Sequence, residues 1–385
     1  MKVKSMLFLC SIICLVLIFG VSKFAFSQEK QIKIGAILAF TGPAVTTCKP
    51  TENAFDYVLS KAGWQVAGKK IVLIKEDEAG KPVDAVNKAK KLVQSDKVDV
   101  IFGPQLGSTF DAVAAYLKPI GIPQIHTSHV LESVLKNEHV FLAAGTNDQV
   151  GLPWGAYAHD KLNLKKAILI AQDYASAKAF LKGFADGFKA RGGVIAQEIA
   201  IPFGTLDFGP YLAKLDKTAD CIAFWLTGGS NISFVKQFKE YGAKMTLLGT
   251  PAFPFEEGDL AALKEHGVGM AGFGAYSPEI DTPANKKFVK EYKEKYGTYP
   301  GFAAMQAYSA MTMYLEALKM TEGDPSADKI IPAMKKIGKY NTPGGVYGMT
   351  DKRYGASDTY FLKVSKIGDR YAWKPIDKIP MQTGK

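Results

Sequence analysis

Strand-like and helix-like segments alternate along the chain from residue 32 onwards, and this alternation restricts the fold more than any other feature of the sequence. Apolar runs typical of buried strands lie at 32–39, 70–75, 98–102, 122–125, 167–171, 194–200, 220–226, 245–248 and 269–275. Segments with apolar residues at helical spacing lie at 53–62, 83–94, 108–117, 177–191, 230–241, 283–296, 302–319 and 327–337. Alternation of this kind predicts an α/β fold with two doubly wound units, each a mostly parallel sheet with helices on both faces.

Three local signals refine this prediction. Ser108 and Asp111 have the spacing of a capping box that opens a helix. Thr282 followed by Pro283 is typical of an N-cap with proline at the first helical position. The apolar runs 361–364 and 371–374 predict a C-terminal hairpin.

The first 27 residues have a different pattern from the rest of the 385-residue chain. Two lysines precede an apolar run at 6–21, and Ala25 and Ser27 then form a small-x-small pattern. We interpret residues 1–27 as a secretory signal peptide that is cleaved after Ser27, which predicts a periplasmic protein. The alternative is a retained membrane anchor, which the shortness of the apolar run disfavours. The remaining length suggests two domains rather than one.

Charge and cysteine content exclude some classes of function. Removing residues 1–27 takes away three lysines and no acid, so the net charge falls from +11 to +8. The basic residues are spread among acidic ones and the chain has only three arginines, so we expect solvated helix faces and no nucleic-acid partner. Cys48 and Cys221 are the cysteines left after processing, and we predict that both are free thiols because they fall in different units.

Four strings of sequence carry a family resemblance. They are IKIGAILAFTGP at 32–43, KKIVLIKEDEAGKPVDAVNKAKKLVQSDKVDVIFGP at 69–104, YLKPIGIPQIHTS at 116–128 and DTPANKKFVKEYKEKYGTYPGFAAMQAYSAM at 281–311. In this order and spacing, the chain resembles the type I periplasmic solute-binding proteins of ABC importers, specifically their leucine/isoleucine/valine-binding branch.

The resemblance implies two lobes joined by three crossover hinges, near Thr146, Tyr276 and Ser357. Lobe one is then 28–146 plus 277–357, and lobe two is 147–276 plus 358–385. It also implies that a monomer without a cofactor closes around one small molecule and delivers it to an inner-membrane ABC permease.

In the family, a ligand carboxylate meets hydroxyl and backbone N–H groups of lobe one. The loop after residue 102 is expected to supply them here, through Gln105, Gly107, Ser108 and Thr109. The N–H groups at the start of the following helix suit an anion. For Ser108, a role as N-cap alone is the alternative.

Two further segments complete the site expected in lobe one. Thr127, Ser128 and His129 follow the strand at 122–125, whereas His126 is expected to have a hydrogen-bonded structural role. A metal site on His126 and His129 is disfavoured, because no other ligands cluster with them in the sequence. In the loop after the first strand, Thr47 and Cys48 are expected to be reachable from the cleft.

Lobe two is expected to contribute Tyr174, Ser176, Thr227 and Gly228, while Trp225 is expected to pack in the core. The family's ammonium-binding acid would lie in 249–255, but this loop reads GTPAFPF, so Pro251 and Phe253 form an apolar wall instead. An amino-acid ligand would leave its ammonium unpaired there unless Glu256 serves it. We therefore expect an aromatic or apolar carboxylic acid, with a branched-chain amino acid as the alternative.

Transport is the function that these features favour. No nucleophile elbow, phosphate loop or zinc-protease motif is present, which argues against an enzyme. A sensory module that passes its ligand signal to a membrane receptor stays open as an alternative, because one fold serves both uses.

Overall fold

The structure, a computed structural model, describes residues 31–41, 45–249 and 255–381, without the side chains of Thr46, Thr47 and Glu257. The predicted signal peptide therefore lies outside the described residues, as do Pro251 and Phe253. Among the helices within these ranges, none combines the length and the apolar character needed to cross a bilayer.

The first sheet occupies the N-terminal part of the described chain. Its strands are β1 (Ile32–Leu38), β2 (Gln65–Val66), β3 (Lys69–Asp77), β4 (Val100–Phe102), β5 (Gln124–His126) and β6 (Val140–Leu142). The helices between them are α1 (Val45–Lys61), α2 (Pro82–Lys91, continued by a π-turn at Leu92–Asp96) and α3 (Gly107–Leu117), with a 3₁₀ turn at Glu132–Lys136. The spatial order is β2-β3-β1-β4-β5-β6, and every pairing except β2–β3 is parallel.

The second sheet follows, and two C-terminal strands complete it. Its strands are β7 (Lys166–Gln172), β8 (Val194–Ile201), β9 (Cys221–Trp225), β10 (Thr246–Gly249), β11 (Ala271–Gly274), β15 (Thr359–Ile367) and β16 (Arg370–Ile379). Its helices are α4 (Asn147–Asp160), α5 (Ala175–Lys189), α6 (Gly209–Leu212), α7 (Gly229–Glu240) and α8 (Glu257–Leu263), with a 3₁₀ turn at Lys264–Gly267. The order is β16-β15-β11-β10-β9-β7-β8, parallel from β8 to β11 and antiparallel at β15 and β16, which form the predicted hairpin.

The segment between β11 and β15 returns to the first sheet. It contains α9 (Pro283–Tyr296), α10 (Phe302–Met320), α11 (Ala327–Lys335), β12 (Tyr340–Thr342), β13 (Gly345–Met349) and β14 (Gly355–Ser357). Phe288 of α9 packs edge-on against Tyr57 of α1, and Tyr314 of α10 packs edge-on against Phe102 of β4. The described chain thus passes three times between the sheets, at 143–146, at 275–282 and at 358.

The backbones of helices α4 and α5 lie in close contact. Because α4 follows directly after the passage at 143–146, this contact holds the end of that passage against the second sheet. A Cβ atom added to Gly151 or Gly155 would lie 2.1 or 1.9 Å from the carbonyl oxygens of Phe180 and Phe184. Residues four apart lie on one helix face, so the two glycines form a flat strip against α5. Each buried phenylalanine on that helix contributes about 1.5–3 kcal/mol.

Local predictions differ from the structure mainly at two helix starts. The first helix begins at Val45, not at 53, and Pro50 lies inside it. Cys48, in the same turn, is buried, and its Sγ accepts the N–H of Ala39 at 3.4 Å. The capping box predicted at Ser108 is wrong, since α3 begins at Gly107 with Leu106 as its N-cap. The N-cap predicted at Thr282 is confirmed: its Oγ1 accepts the N–H of Asn285 at 3.1 Å.

Candidate ligand-binding site

The carboxyl ends of β4 and β5 place two of the predicted loops side by side, since the strands are parallel neighbours. Thr127 Oγ1 donates to Gln105 Oε1 at 2.5 Å. His126 Nε2 donates to the Gln105 carbonyl oxygen at 3.2 Å, while the Ser128 N–H donates to His126 Nδ1 at 3.0 Å. The structure therefore joins Gln105, Thr127 and Ser128 into one network.

His126 is the centre of this network and has the structural role expected of it. Its ring is fully buried, and burial lowers the pKa of the imidazole to about 4. A neutral ring has one donor and one acceptor nitrogen, and the two hydrogen bonds use both.

The start of α3 presents unpaired donors next to this network. The helix has no side-chain cap, so the N–H groups of its first turn carry the positive end of the helix dipole. Ser108, the second residue of the helix, is exposed. Thr109 is buried and its hydroxyl donates to the Leu106 carbonyl oxygen at 3.0 Å, which closes the turn. Gly107 and Ser108 are thus the residues of this predicted set that reach the surface.

His129 leaves the network and faces a different part of the molecule. Its Nδ1 donates to the Gly145 carbonyl oxygen at 2.7 Å, and its ring stacks on Phe302 with 5.3 Å between centroids. Burial lowers the pKa of this imidazole to about 4 as well. His129 therefore connects the loop after β5 to the first sheet-to-sheet passage and to the start of α10.

Cys48 contradicts the expectation that it is reachable from a cleft. It has no exposed surface, and burial raises the pKa of its thiol to about 12. Cys48 is the fourth residue of α1 and not part of a loop, and its Sγ accepts the N–H of Ala39. Cys48 and Cys221 are both free thiols, as predicted. The side chain of Thr47 lies outside the described part of the chain.

In the second sheet, the carboxyl ends of β7 and β9 bring Tyr174 and Thr227 to one edge. Trp225 Nε1 donates to the Tyr174 hydroxyl at 2.6 Å, which leaves the phenolic proton free to donate onwards. Thr227 donates its N–H to Gln172 Oε1 at 2.9 Å, and its hydroxyl donates to the same atom. Trp225 is buried against Phe180, in line with the expected core role.

An exposed aromatic side chain lies beside Tyr174. Phe203, which follows β8, is 64% exposed and lies 5.4 Å from the Tyr174 ring, centroid to centroid. Ser176 is partly exposed in the first turn of α5. Gly228 has a φ of 56°, a conformation that favours glycine, and it allows α7 to begin directly after Thr227.

Glu256 has protein partners for both of its carboxylate oxygens. Oε2 accepts the N–H of Phe302 at 3.1 Å and Oε1 accepts the N–H of Ala303 at 2.9 Å. The Glu256 side chain therefore caps the N-terminus of α10. Glu256 is also the N-cap residue of α8, a helix that packs with the second sheet. Gly301 makes room for this approach, because a Cβ there would lie 1.6 Å from Oε2.

Two features of this region were missed in the sequence. Glu78, just after β3, is fully buried beside Thr109, and burial together with the nearby Asp77 raises the pKa of its carboxyl to about 7. Its position at the carboxyl end of a strand was the available signal. Phe203 lies on a loop that no periodic pattern marks, so only the packing against Tyr174 reveals it.

Clustered metal ligands are absent from the described part of the chain, and one large groove lies away from these residues. Among the described residues, no group of three or more His, Cys, Asp or Glu side chains could hold a metal ion. A groove of about 620 Å³ lies near Asp220 and Met245, which precede β9 and β10 and so mark the opposite edge of the second sheet.

Comparison with known proteins gives consistent similarities along the chain. A family model described as periplasmic binding protein matches residues 31–369. The chain is similar to Leu/Ile/Val-binding protein homolog 6 of Brucella melitensis biotype 1, with 26% identity over 346 residues and 88% of each chain covered.

Two solved structures extend these similarities. One is an ABC transporter substrate-binding protein from Sphaerobacter thermophilus, with 26% identity, a TM-score of 0.87, and 91% of this chain and 98% of that chain covered. The other is a solute binding protein of an ABC transporter from Rhodopseudomonas palustris BisB5 in complex with 3,4-dihydroxybenzoic acid. It has 28% identity, a TM-score of 0.85, and 92% and 99% coverage.

Proposed function

We propose that this chain, which belongs to the periplasmic binding protein family, captures an aromatic or otherwise apolar carboxylic acid. The resemblance carried by the four sequence strings is confirmed, and so is the type I periplasmic binding protein fold. The protein is an extracytoplasmic solute-binding protein of an ABC transporter, which binds a small molecule and works with a permease.

The observation that carries the ligand proposal is the engagement of Glu256 by α10. A bound amino acid brings an ammonium group that must be paired once it leaves water. Glu256 was the acid that could have paired it, but its two oxygens accept the N–H groups of Phe302 and Ala303. The loop 249–255 contains no Asp or Glu. A carboxylic acid without an ammonium group does not need a protein carboxylate to pair with.

The ligand carboxylate is proposed to bind at the start of α3. The N–H groups of Gly107 and Ser108 and the exposed Ser108 hydroxyl supply donors for an anion at the positive end of the helix. Ser128 in the adjacent loop is the second hydroxyl of this proposed subsite. Gln105 and Thr127 hold the two loops together and act as positioning residues.

The apolar part of the ligand is proposed to pack against the second sheet's edge. Tyr174 and Phe203 offer aromatic faces, and the Tyr174 hydroxyl can donate to a ring substituent. Ser176, Thr227 and Gly228 border the same edge. In this proposal the walls Pro251 and Phe253, outside the described residues, complete the apolar side.

One of the two similar solved structures supports this choice, because it is a complex with 3,4-dihydroxybenzoic acid at 28% identity. A branched-chain amino acid is the second candidate, and the name of the Brucella relative favours it.

Ligand capture is proposed to proceed by closure of two lobes, 28–146 plus 277–357 and 147–276 plus 358–385. The proposed mature protein is a periplasmic monomer that begins after Ser27. The three passages between the sheets lie close to the proposed crossovers and would serve as hinges.

Calorimetric titration with 3,4-dihydroxybenzoate, benzoate, leucine and valine tests the ligand class. We expect saturable binding of at least one of the two aromatic acids and none of the amino acids. Binding of leucine or valine alone would falsify the proposal. Small-angle scattering with the tightest ligand should show a smaller radius of gyration, and an unchanged radius would contradict lobe closure.

A further inference from the structure

A cavity of about 290 Å³ lies where the three passages between the sheets meet. We call it the connection cavity. It is bounded by Ala144 and Gly145 of the first passage, Ala275 of the second, Ser357 beside the third, and by His129 and Gln306. His129, which the sequence places in the expected ligand site, borders it, whereas none of the residues proposed to hold the transported ligand at α3 or at Tyr174 does.

The lining of the connection cavity is uncharged. Among the described residues that border it, none is Asp, Glu, Lys or Arg. His129 is neutral at pH 7, because burial lowers its pKa to about 4. Its Nδ1 carries the proton that is donated to Gly145, so Nε2 is an acceptor. An ionised ligand would find no countercharge here and would lose its hydration.

Gln306 is the polar group that points to a ligand. It lies on α10 with 4% of its surface exposed, and no hydrogen bond joins its side-chain amide to another described residue. The polar groups of buried side chains are normally hydrogen-bonded to protein, water or a ligand, and Gln306 borders the cavity, where such a partner can reach it. Gln306 can donate two hydrogen bonds and accept two, which suits an amide or a hydroxyl group.

We propose that the connection cavity is a second binding site, for a small uncharged molecule with an amide or hydroxyl group attached to a ring or short alkyl chain. The volume suits such a molecule, since an apolar cavity of about 150 Å³ already holds benzene. The polar end of the molecule pairs with Gln306, and the apolar end packs against Phe273 and Ala356, which also border the cavity.

Occupation of this site is coupled to capture of the transported ligand. All three passages form its walls, so its shape depends on how the two sheets are oriented. A molecule that fits the cavity stabilises the relative orientation of the two sheets seen in this structure. Thermodynamic linkage then raises the affinity for a transported ligand that needs the same orientation. This coupling rests on the proposed function, whereas binding in the cavity does not.

Benzamide is the probe for the test, because it is an uncharged ring with an amide. Saturation-transfer NMR and calorimetry on the full mature protein are expected to give a Kd of roughly 1 mM, as is usual for so small a molecule. Gln306→Leu removes the amide, and Ala356→Leu fills part of the space. Gln65→Leu makes the same chemical change at an exposed position and is the control. Both cavity variants should lose the benzamide signal, and the control should keep it.

The outcomes separate the cavity from the proposed function. Equal benzamide binding in all variants, or no saturable binding to the wild-type protein, would overturn the second site. Saturating benzamide should lower the Kd for 3,4-dihydroxybenzoate about fivefold. Direct competition between the two would instead place benzamide in the ligand cleft and overturn the second site. If 3,4-dihydroxybenzoate does not bind, the proposed ligand fails, while the benzamide signal and its loss in the variants still decide the cavity.

Discussion

The contact between Glu256 and α10 yields the sharpest prediction, because it joins the layers of the two sheets through two hydrogen bonds of 3.1 and 2.9 Å. Glu256→Gln keeps one acceptor oxygen and removes the second, together with the negative charge at the helix N-terminus. A hydrogen bond to a charged group contributes about 1.5 kcal/mol and the charge–dipole interaction about 0.5 kcal/mol. The expected loss is about 2 kcal/mol, which corresponds to roughly a 30-fold change in an equilibrium constant.

Two measurements show whether the contact stabilises the ligand complex or the protein without ligand. Calorimetry gives the Kd for 3,4-dihydroxybenzoate, and urea unfolding without ligand gives the free energy of unfolding. If the contact forms on closure, the Kd rises about 30-fold; if it persists without ligand, the unfolding free energy falls by about 2 kcal/mol. Glu240→Gln, at a carboxylate with 65% of its side chain exposed, is the matched control and should change neither quantity.

Gly301→Ala tests the same contact from the other side. The backbone of Gly301 has a φ of −105°, which alanine adopts without strain, so the only defect is the Cβ placed 1.6 Å from the Glu256 oxygen. The single variants should therefore have similar effects and the double variant no more than either one. Additive effects would contradict the capping role, as would unchanged values in Glu256→Gln. Selective loss of leucine binding in Glu256→Gln would show instead that the acid serves an ammonium group.

Three further perturbations address single residues. Ser108→Ala should weaken 3,4-dihydroxybenzoate binding by at least about tenfold, since one hydrogen bond to a charged group is lost, and an unchanged Kd would remove α3 from the site. Burial raises the pKa of Glu78 to about 7 from its ordinary value of 4.5, so the folded state keeps its proton while the unfolded chain loses it, and stability falls as the pH rises through this window. Between pH 4.5 and 7.5, this effect should lower the unfolding free energy of the wild-type protein by at most about 3 kcal/mol, as measured by urea unfolding, and Glu78→Gln should abolish it. The same pH dependence of unfolding free energy in wild type and variant would contradict a buried acid. Cys48 and Cys221 should react with a thiol reagent only after unfolding, because burial raises both thiol pKa values to about 12, and rapid labelling of the native protein would show that either is accessible.

Local pattern determined much of this protein before any tertiary contact was considered. Alternating strand and helix periodicity predicted the parallel sheets, and Thr282 with Pro283 predicted the start of α9, because both signals act between residues close in sequence. Two neighbouring apolar runs predicted the C-terminal hairpin, and the assignment of Cys48 and Cys221 to different units predicted the two free thiols. The order of the four strings was sufficient to indicate the family.

Only the tertiary structure decided what the individual side chains contact. Cys48 looked like a loop residue, yet α1 begins before it, and the fold buries its thiol against Ala39. Glu256 looked available to a ligand, but its partners lie 46 and 47 residues away on α10. Hydrogen-bond partners at such separations are set by how two sheets pack, and no local propensity encodes that packing. The sequence therefore determined the elements and their order, and the packing decided which polar groups are left free for a ligand.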